Sequence, residues 1–377
     1  MTDTLEAEDS VAILDELLAR GAIALRDDEV LRRTPPAAPR PIAFDRVEGM
    51  MLGLAIGDAL GRPTEGRVPA KRRALHGEVR DYVIGRRAKR AIGMPSDDTQ
   101  LAFWTLEQLI ADRGYVPHNV AKRLCEGQVF GMGQTVSKFR RNFKKAKLPW
   151  WQAGPPSAGN GALMRIAPIL IPHVHVHAPS SALWAEAALC AMTTHDDSAS
   201  NAACVAMVAM LWDLLSMDAA PEPHWWLERY LEVASALETD AVYSPRGGKY
   251  VGYSGTLSRF VEQRVGKALK RGGSTVELCD SWHSGAYLLE TMPCVILILA
   301  RYGHDPEEAL VRAVNDTKDN DTVGAIVGAA VGALHGKVGL PARWIEGLTG
   351  RTGDSDDGRV FELLDEARAL WWPTARD

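Results

Sequence analysis

DNDTVGAIVGAAVGALHG, residues 319–336, is the stretch that decides the fold. Behind its acidic start the segment is almost wholly small and apolar, and glycines recur at positions 324, 328, 332 and 336. In a helix of 3.6 residues per turn, this four-residue spacing puts all four glycines near one face, where they permit close packing of another helix. The sequence therefore predicts a core helix whose N-terminus is buried with it.

Oxygen-bearing side chains open this helix, namely Asp319, Asp321 and Thr322. Buried carboxylates need positive partners, and Lys318 is the only cationic residue beside them. A hard divalent cation is therefore an obvious partner, and oxygen ligands favour Mg²⁺, Mn²⁺ or Ca²⁺ over zinc. The alternative is ordinary capping of a helix by surface acids.

A second acidic cluster lies far upstream at residues 96–99, Ser-Asp-Asp-Thr. It follows a loop, Gly93-Met94-Pro95, and precedes the apolar run LAFWTLEQLI, so its carboxylates also stand at a helix N-terminus. Alone this is a common capping pattern. Together, the aspartates and hydroxyls of the two clusters could hold two divalent ions, which would bind an anionic or hydroxyl-rich substrate and activate water.

Long amphipathic or apolar stretches fill most of the remaining chain, and strand-like alternation is scarce. Glycine or proline stands at the ends of these stretches. The predicted helices cover residues 46–60, 98–112, 116–130, 181–193, 198–217, 224–237, 286–301, 305–315, 321–335 and 358–371. We expect an all-α fold, a single large domain of many orthogonally packed helices around one core and a binuclear metal site.

The chain is predicted to divide into an acidic helical extension with a proline-rich linker, residues 1–43, and a body, residues 44–377. Ser10 could cap a helix whose apolar positions, 11, 13, 14, 17 and 18, share one face. TPPAAPRP, residues 34–41, is typical of a stiff linker. Two interpretations stay open, since the helix could dock on its own domain or serve as an arm for a partner protein.

Composition and charge are those of a soluble protein: 46% of the 377 residues are hydrophobic and the net charge is -5. The acidic N-terminus is unlike a signal peptide, and the longest glycine-alanine-valine run is too short to span a membrane. Five cysteines without a CxxC spacing are expected to be buried and reduced. We expect a cytoplasmic protein that binds no membrane or nucleic acid, although basic stretches at 62–90 and 138–147 leave an anionic substrate or acidic partner open.

Five motifs, in order, resemble those of the ADP-ribosylglycohydrolase family, which includes dinitrogenase-reductase-activating glycohydrolase. They are GMMLGLAIGDALGRPTEG (49–66), SDDTQLAFWTLEQL (96–109), GNGALMRIAP (159–168), TTHDDSASNAACVAM (193–207) and DNDTVGAIVGAAVGALHG (319–336). The resemblance implies a metal-dependent enzyme that removes ADP-ribose from a modified protein side chain. Arginine is the first guess for that side chain, while serine, a modified base and free ADP-ribose derivatives stay open.

The resemblance also implies a role for particular residues. The ligands of two Mg²⁺ or Mn²⁺ ions would be Ser96, Asp97, Asp98, Asp319, Asp321 and Thr322. The catalytic residues would be Glu65, Asp97 and Asp321. The residues that bind ADP-ribose would be Asn160, Gly161, His195, Gly285 and Tyr287. Glu65 could instead pair with a neighbouring arginine, Arg62 or Arg67, and Asp58 is expected either to support the metal site or to cap a helix.

One departure from the family pattern concerns Thr317-Lys318, because the family usually has two glycines just before the last metal motif. We expect the change to alter the backbone angles of the loop or to place an ammonium near the ions. Two rival hypotheses concern the whole protein. An immunity-type binding protein would block an ADP-ribosyltransferase toxin through residues 1–40, and a crystallin-like structural protein would need no metal motifs.

Overall fold

A computed structural model of the chain describes residue 5 and residues 9–83, 91–175 and 179–373. These ranges contain 18 α-helices and no β-strand, which confirms the predicted all-α class. The helices are α1 Ser10–Ala19, α2 Phe44–Gly61, α3 Pro69–His76, α4 Asp97–Asp112, α5 Pro117–Arg123, α6 Gln134–Lys144, α7 Trp150–Ala153, α8 Ile171–Val174, α9 Ala182–Thr194, α10 Ser198–Ser216, α11 Pro223–Leu237, α12 Leu257–Arg271, α13 Thr275–Ser281, α14 Leu288–Tyr302, α15 Pro306–Asp316, α16 Asn320–His335, α17 Ala342–Gly347 and α18 Arg359–Trp371.

Each of the ten predicted stretches contains a helix, but the prediction for 116–130 was too long. Helix α5 ends at Arg123, and Gly127 and Gly131 then adopt positive φ angles of 67° and 64°. Such angles belong to turns, so the chain cannot continue as a helix there. Seven helices were not predicted, namely α3, α6, α7, α8, α12, α13 and α17. The two longest of them, α6 and α12, have exposed faces rich in lysine and arginine, and only a narrow apolar stripe is buried.

Helices α2 and α16 cross the centre of the molecule side by side in opposite directions, and their backbones touch. Glycines of α2 at positions 49, 53, 57 and 61 face the backbone of α16 at positions 332, 328, 324 and 321. A Cβ atom on any of these four α2 glycines would overlap with that backbone. We call this contact the glycine seam. The close packing predicted from the glycines of 319–336 is present, and its partner is the helix with the same glycine spacing.

The glycine seam decides where the acids of the two helices lie. Because the helices run antiparallel, the C-terminal end of α2, with Asp58, meets the N-terminal end of α16, with Asp319 and Asp321. Both helices are buried over almost all of their length, so these carboxylates are buried too. The seam therefore brings together acids from two distant segments of the chain in the interior of the protein.

Residues 9–43 pack against the body. Three apolar side chains of α1, Ile13, Leu14 and Leu17, are buried in the same core as the other helices. Three tryptophans of the body donate indole hydrogen bonds to backbone carbonyls of the segment: Trp184 to Arg33 at 2.7 Å, Trp212 to Pro36 at 2.8 Å and Trp372 to Ile42 at 2.9 Å. The helix is thus docked on its own domain.

Within the described ranges, one helix, α10, is long and apolar enough to cross a membrane, and almost all of it is buried inside the protein. Core helices commonly have this length and composition as well. All five cysteines are buried and none forms a disulfide, as expected from their odd number and apolar surroundings.

Candidate functional site

A cavity of about 590 Å³ opens where α2, α4 and α16 meet at their ends. Its volume lies in the range of pockets for small molecules and cofactors. Most residues predicted for the site line this one cavity: Glu65, Asp97, Asp98, Asn160, Gly161, His195, Tyr287, Asp319, Asp321 and Thr322. The segments that supply them are spread over the whole body, so the fold unites motifs that the sequence keeps apart.

Asp58 fastens the start of α4 to the end of α2. Its carboxylate accepts hydrogen bonds from the backbone N–H of Ser96 at 2.8 and 2.9 Å, from the N–H of Thr99 at 3.0 Å and from the Thr99 hydroxyl at 2.5 Å. The capping interpretation of Asp58 agrees with these contacts, and support of a metal site stays a prediction. It caps a helix, and in doing so it orients the first acidic motif toward α16.

The carboxylates form two adjacent groups that share one member. Oxygens of Asp58, Asp98 and Asp321 lie within 4.8 Å of one another, and so do oxygens of Glu65, Asp319 and Asp321. Only Glu65 is exposed; the other acids in both groups are buried. Asp321 belongs to both groups, which makes it the centre of the acidic cluster.

Among the described residues, the charges of Arg72 and Arg246 act on Asp321 and Asp319, but neither guanidinium pairs with a carboxylate of this cluster. No ion pair in the described ranges involves these buried aspartates, and Asp98 Oδ1 is buried without a hydrogen-bond partner. Burial, followed by neighbouring carboxylates, raises the pKa of Asp98 and Asp321 well above the ordinary value. Oxygen donors, an orphaned carboxylate oxygen and crowded negative charge fit a hard divalent cation.

Asp97 stands apart from both groups. Its carboxylate lines the cavity next to Gly131, whose Cβ position would lie 3.2 Å from Asp97 Oδ1. Burial, together with the negative charge of Asp58, raises the pKa of Asp97 to about 8. Asp97 therefore faces the cavity, and the missing side chain of Gly131 leaves room beside its carboxylate.

The two predicted hydroxyl ligands both stand close to Asp98. The Ser96 hydroxyl donates to Asp98 Oδ2 at 3.0 Å, and the Thr322 hydroxyl lies near enough to this carboxylate to oppose the rise of its pKa. The backbone N–H of Thr322 donates to Asp321 Oδ1 at 3.0 Å. These contacts fix the orientation of the two central aspartates and leave Asp98 Oδ1 open.

Glu65 lies on the loop after α2, at the exposed edge of the acidic cluster. No ion pair joins it to Arg62 or Arg67 in the part of the chain that the structure describes, and the Arg62 guanidinium donates to the Met94 carbonyl instead, at 3.1 Å. The neighbouring Gly66 N–H donates to the Lys318 carbonyl at 3.0 Å, which ties the Glu65 loop to the start of α16. The described structure therefore does not contain the alternative pairing of Glu65 with a neighbouring arginine, and the catalytic role of Glu65 stays a prediction.

Asn160 connects the acidic cluster to the substrate wall of the cavity. Its amide nitrogen donates to Asp319 Oδ2 at 2.6 Å and to the Thr291 hydroxyl at 3.0 Å. The next residue, Gly161, packs closely against His195. A Cβ atom at Gly161 would lie 2.9 Å from the imidazole Cε1, which is too close for any side chain at this position. Gly161 therefore makes room for the His195 side chain, which itself lines the cavity.

Tyr287 lines the cavity, whereas Gly285 lies behind the wall. A Cβ at Gly285 would lie 2.6 Å from Glu290 Oε2, so glycine here makes room for a buried carboxylate. Glu290 holds Arg246, which lines the cavity: Nη2 donates to Oε2 at 3.1 Å, and the backbone N–H donates to Oε1 at 2.9 Å. The Arg246 guanidinium also stacks 4.9 Å from the centre of the Tyr287 ring.

The sequence did not reveal Arg246. It stands alone in SPRGGKY, and its importance depends on a partner, Glu290, that lies 44 positions away. A single arginine before two glycines is common in surface loops, so only the folded structure shows that this one faces the cavity.

Thr317 and Lys318 do not disturb the loop in the way that was expected. Thr317 has an extended backbone, with φ of −121°, which any residue adopts. The Lys318 ammonium lies 3.5 Å from His283 Nε2. The unusual angles occur instead in a turn from a distant part of the chain, where His283 and Ser284 have φ of 75° and 44°. This turn contacts the loop, because the Ser284 carbonyl accepts from the Asp319 N–H at 2.9 Å.

Comparison with known proteins identifies the family. The model of the ADP-ribosylglycohydrolase family matches residues 39–372. The chain is 25% identical to the ADP-ribosylarginine hydrolase Tri1 of Pseudomonas putida over 81% of this chain and 74% of that protein. It is 24% identical to the ADP-ribosyl-dinitrogen reductase glycohydrolase of Rhodospirillum rubrum over 82% of this chain and 92% of that protein.

A solved structure of an ADP-ribosylglycohydrolase-related protein complex is also similar, with a TM-score of 0.61 and 28% identity. The similarity covers 87% of this chain and 98% of the solved chain. The family match begins within the proline-rich linker and includes all twelve predicted site residues. An all-helical body, a cavity lined by the acidic motifs and a match over most of the sequence agree, and the chain belongs to the ADP-ribosylglycohydrolase family of enzymes.

Proposed function

We propose that this protein hydrolyses the bond between ADP-ribose and the arginine side chain of a modified protein, and that it uses two divalent cations, Mg²⁺ or Mn²⁺. The family and the named relatives support ADP-ribosyl hydrolase activity on modified proteins. One observation carries the proposal: two carboxylate groups share Asp321, form no ion pair among the described residues and stand at a cavity whose lining also includes Asn160, His195 and Arg246.

The cations would be held by the two carboxylate groups, with Asp321 common to both. The hydroxyls of Ser96 and Thr322 and the carboxylate of Asp97 complete the proposed ligand set. Such cations supply positive charge to ribose hydroxyls and a more acidic water. Asp98 Oδ1, the oxygen without a partner, is the clearest ligand atom in the first group.

The protein itself supplies acid–base and positioning groups. Breaking a glycosidic bond creates positive charge on the ribose ring, which nearby carboxylates stabilise. Glu65 and Asp97, which both line the cavity, are the candidate bases that take a proton from the attacking water. Asn160 holds Asp319 in place, and His195 and Arg246 offer donors to the anionic part of the substrate.

The proposal is tested by the release of ADP-ribose from arginine-modified protein with and without Mg²⁺. We expect release that needs the metal and is lost in Asp321→Ala. Asp365→Ala, an exposed aspartate on α18, is the matched control and should behave as wild type. Release from serine-modified but not from arginine-modified protein would refute the arginine assignment, and metal-independent release would refute the role of the cations.

A further inference from the structure

A buried polar chain lies behind His195, and the reaction outlined above does not use it. It starts at Arg165, whose side chain is fully buried. The guanidinium donates through Nη1 to the Cys190 sulfur at 3.2 Å, and through Nη2 to the Cys190 carbonyl at 3.0 Å and the Thr194 hydroxyl oxygen at 2.8 Å. No carboxylate forms an ion pair with Arg165 within the described ranges, so its charge is balanced only by dipoles.

The Thr194 hydroxyl connects Arg165 to His195. It accepts from Arg165 and lies 3.0 Å from His195 Nδ1. Threonine in a helix often donates to the carbonyl four residues earlier, as Thr193 does to Leu189 at 2.8 Å. Thr194 makes no such bond in the described structure, so His195 Nδ1 is the one acceptor left for its proton.

This hydrogen-bond pattern determines the tautomer of the imidazole. A nitrogen that accepts a proton from Thr194 carries none of its own, and a neutral imidazole then has its proton on Nε2. Nε2 lies near two glycines: Cβ atoms there would be 3.5 Å away at Gly159 and 3.0 Å away at Gly161. The described residues offer Nε2 no acceptor, and His195 lines the cavity.

We propose that Arg165 and Thr194 are positioning residues that hold His195 neutral with its proton on Nε2, aimed at an acceptor oxygen of the bound ADP-ribose. The choice of ligand rests on the proposed function, whereas the tautomer rests on the contacts alone. The two glycines near Nε2 let the substrate oxygen approach the imidazole.

Electrostatics supports the neutral form. Burial, with a smaller contribution from the Arg165 charge, lowers the pKa of His195 to about 3. The Arg165 charge thus disfavours a positive charge on His195, and it would attract the negative charge of a diphosphate bound in the cavity. A charged His195 would donate from Nδ1 to the Thr194 oxygen, and the Thr194 proton would then have no acceptor among the described residues.

Nitrogen NMR of the full-length protein labelled with ¹⁵N-histidine tests the tautomer directly. We expect wild type to show His195 with unprotonated Nδ1 and protonated Nε2, unchanged between about pH 5 and 8. Thr194→Ser keeps the hydroxyl and should give the same spectrum. Thr194→Val keeps the shape but removes the hydroxyl, and it should give a mixture of tautomers. Wild-type protein with a proton on Nδ1, or with an imidazolium at neutral pH, overturns the inference.

Calorimetric titration with ADP-ribose measures the consequence for binding. We expect the affinity to fall roughly tenfold in Thr194→Val, the loss of one directed hydrogen bond, and to change less than about twofold in Thr194→Ser. Thermal unfolding checks that both variants are folded; if Thr194→Val is not, the wild-type spectrum and Thr194→Ser still decide. Equal affinity in a folded Thr194→Val overturns the positioning role.

These readouts separate the inference from the proposed function. The tautomer is measured without turnover, so a protein with protonated Nε2 that releases no ADP-ribose from any substrate would refute the function alone. A protein that hydrolyses its substrate with the proton on Nδ1 would refute the inference alone.

Discussion

At the scale of the residue, Asp98 is a charge that the protein cannot satisfy by itself. Its Oδ1 is buried with no partner, and its neighbours are other acids. Asp98→Asn keeps the shape and removes the charge. Without metal we expect the variant to be at least as stable as wild type, by up to about 2 kcal/mol, because a neutral amide costs less to bury than a carboxylate.

The same variant should lose its response to metal. We expect Mg²⁺ to raise the melting temperature of wild type but not of Asp98→Asn, and ADP-ribose release to fall by at least about a hundredfold. Thermal unfolding with and without Mg²⁺ and the release assay measure these effects. Persistence of the Mg²⁺-induced shift in the variant would show that Asp98 is not a ligand.

The stability of the metal-free protein should decrease as the pH rises. Folding raises the pKa of Asp319 to about 6 and that of Asp97 to about 8, from an ordinary value of 3.8, so the folded state binds more protons than the unfolded state. The stability is present below pH 3.8 and is lost as the pH rises through the folded values. Urea unfolding at several pH values measures the trend, which added Mg²⁺ should weaken or reverse.

Arg246 should contribute to substrate binding more than to the chemical step. Arg246→Gln removes the guanidinium that Glu290 and Tyr287 hold at the cavity. We expect KM to rise roughly tenfold with little change in kcat, because a contact with an unreacting anionic group binds ground state and transition state alike. Arg259→Gln, on the exposed face of α12, is the control. A fall in kcat at constant KM would contradict a binding role.

That the residues of the two short acidic motifs meet at one cavity agrees with the sequence, because carboxylates at the start of a buried helix need a compensating partner wherever the helix lies. Residues whose role depends on distant neighbours could not be predicted. Arg246 needs Glu290 to hold it, and Thr194 needs both Arg165 and His195. Gly285 was expected to touch the substrate, but its contact is with Glu290, and no local pattern distinguishes these two uses of a glycine.

At the scale of the element, the glycine seam sets the distance between α2 and α16. Gly57→Ala places a Cβ atom against the backbone of Gly324. Because the clash is with backbone atoms, a change of side-chain rotamer cannot relieve it. We expect a loss of about 2 kcal/mol or more in the free energy of unfolding and a weaker response to Mg²⁺, since the acids at the end of the seam move apart. Chemical denaturation and thermal shift with Mg²⁺ measure both effects.

Gly266→Ala is the matched control within a helix. In α12 the added Cβ would be 3.7 Å from Leu227 Cδ2, an ordinary contact. We expect this variant to gain about 0.5–1 kcal/mol, the usual advantage of alanine over glycine in a helix. Equal destabilisation by the two substitutions would show that helix propensity, and not the closeness of the seam, governs the effect.

Helices with a broad apolar face could be predicted from periodicity alone, and α2, α4, α14 and α16 are examples. The pairing of α2 with α16 was also present in the sequence as an identical glycine spacing in 49–61 and 324–336, but that signal is recognised only when both segments are compared. Helix α12 was missed because it buries only one narrow stripe on its neighbours. Hydrophobic periodicity detects a helix only when a broad face of that helix is buried, and how much of each helix is buried depends on the fold.

At the scale of the whole molecule, the N-terminal segment is bound to the body next to the site. The Ala24 N–H donates to Asp196, the residue after His195, at 3.0 Å, and Asn201 donates to the Ala24 carbonyl at 3.1 Å. Deletion of residues 1–38, which precede the family match, should lower the free energy of unfolding by roughly 3 kcal/mol because buried apolar side chains of α1 are lost.

Urea unfolding of the deletion protein measures this loss, and Trp212→Phe, which removes a single indole hydrogen bond to Pro36, should cost only about 1 kcal/mol. Unchanged stability after the deletion would mean that the segment is loosely held and available to a partner protein. The interpretation of residues 1–40 as an arm would then regain its force.

The glycine seam also has a consequence for how the chain acquires its structure. Helix α2 leaves the ribosome long before α16. The glycine face of α2 therefore stays uncovered until α16 has been synthesised, which is after most of the protein has been made. Contacts between segments so far apart slow folding, because the intervening chain must close a long loop. A circular permutant that joins the natural ends and opens an exposed loop in the middle would place the two helices closer along the chain. Such a permutant would nucleate its centre early and refold faster than the natural order allows.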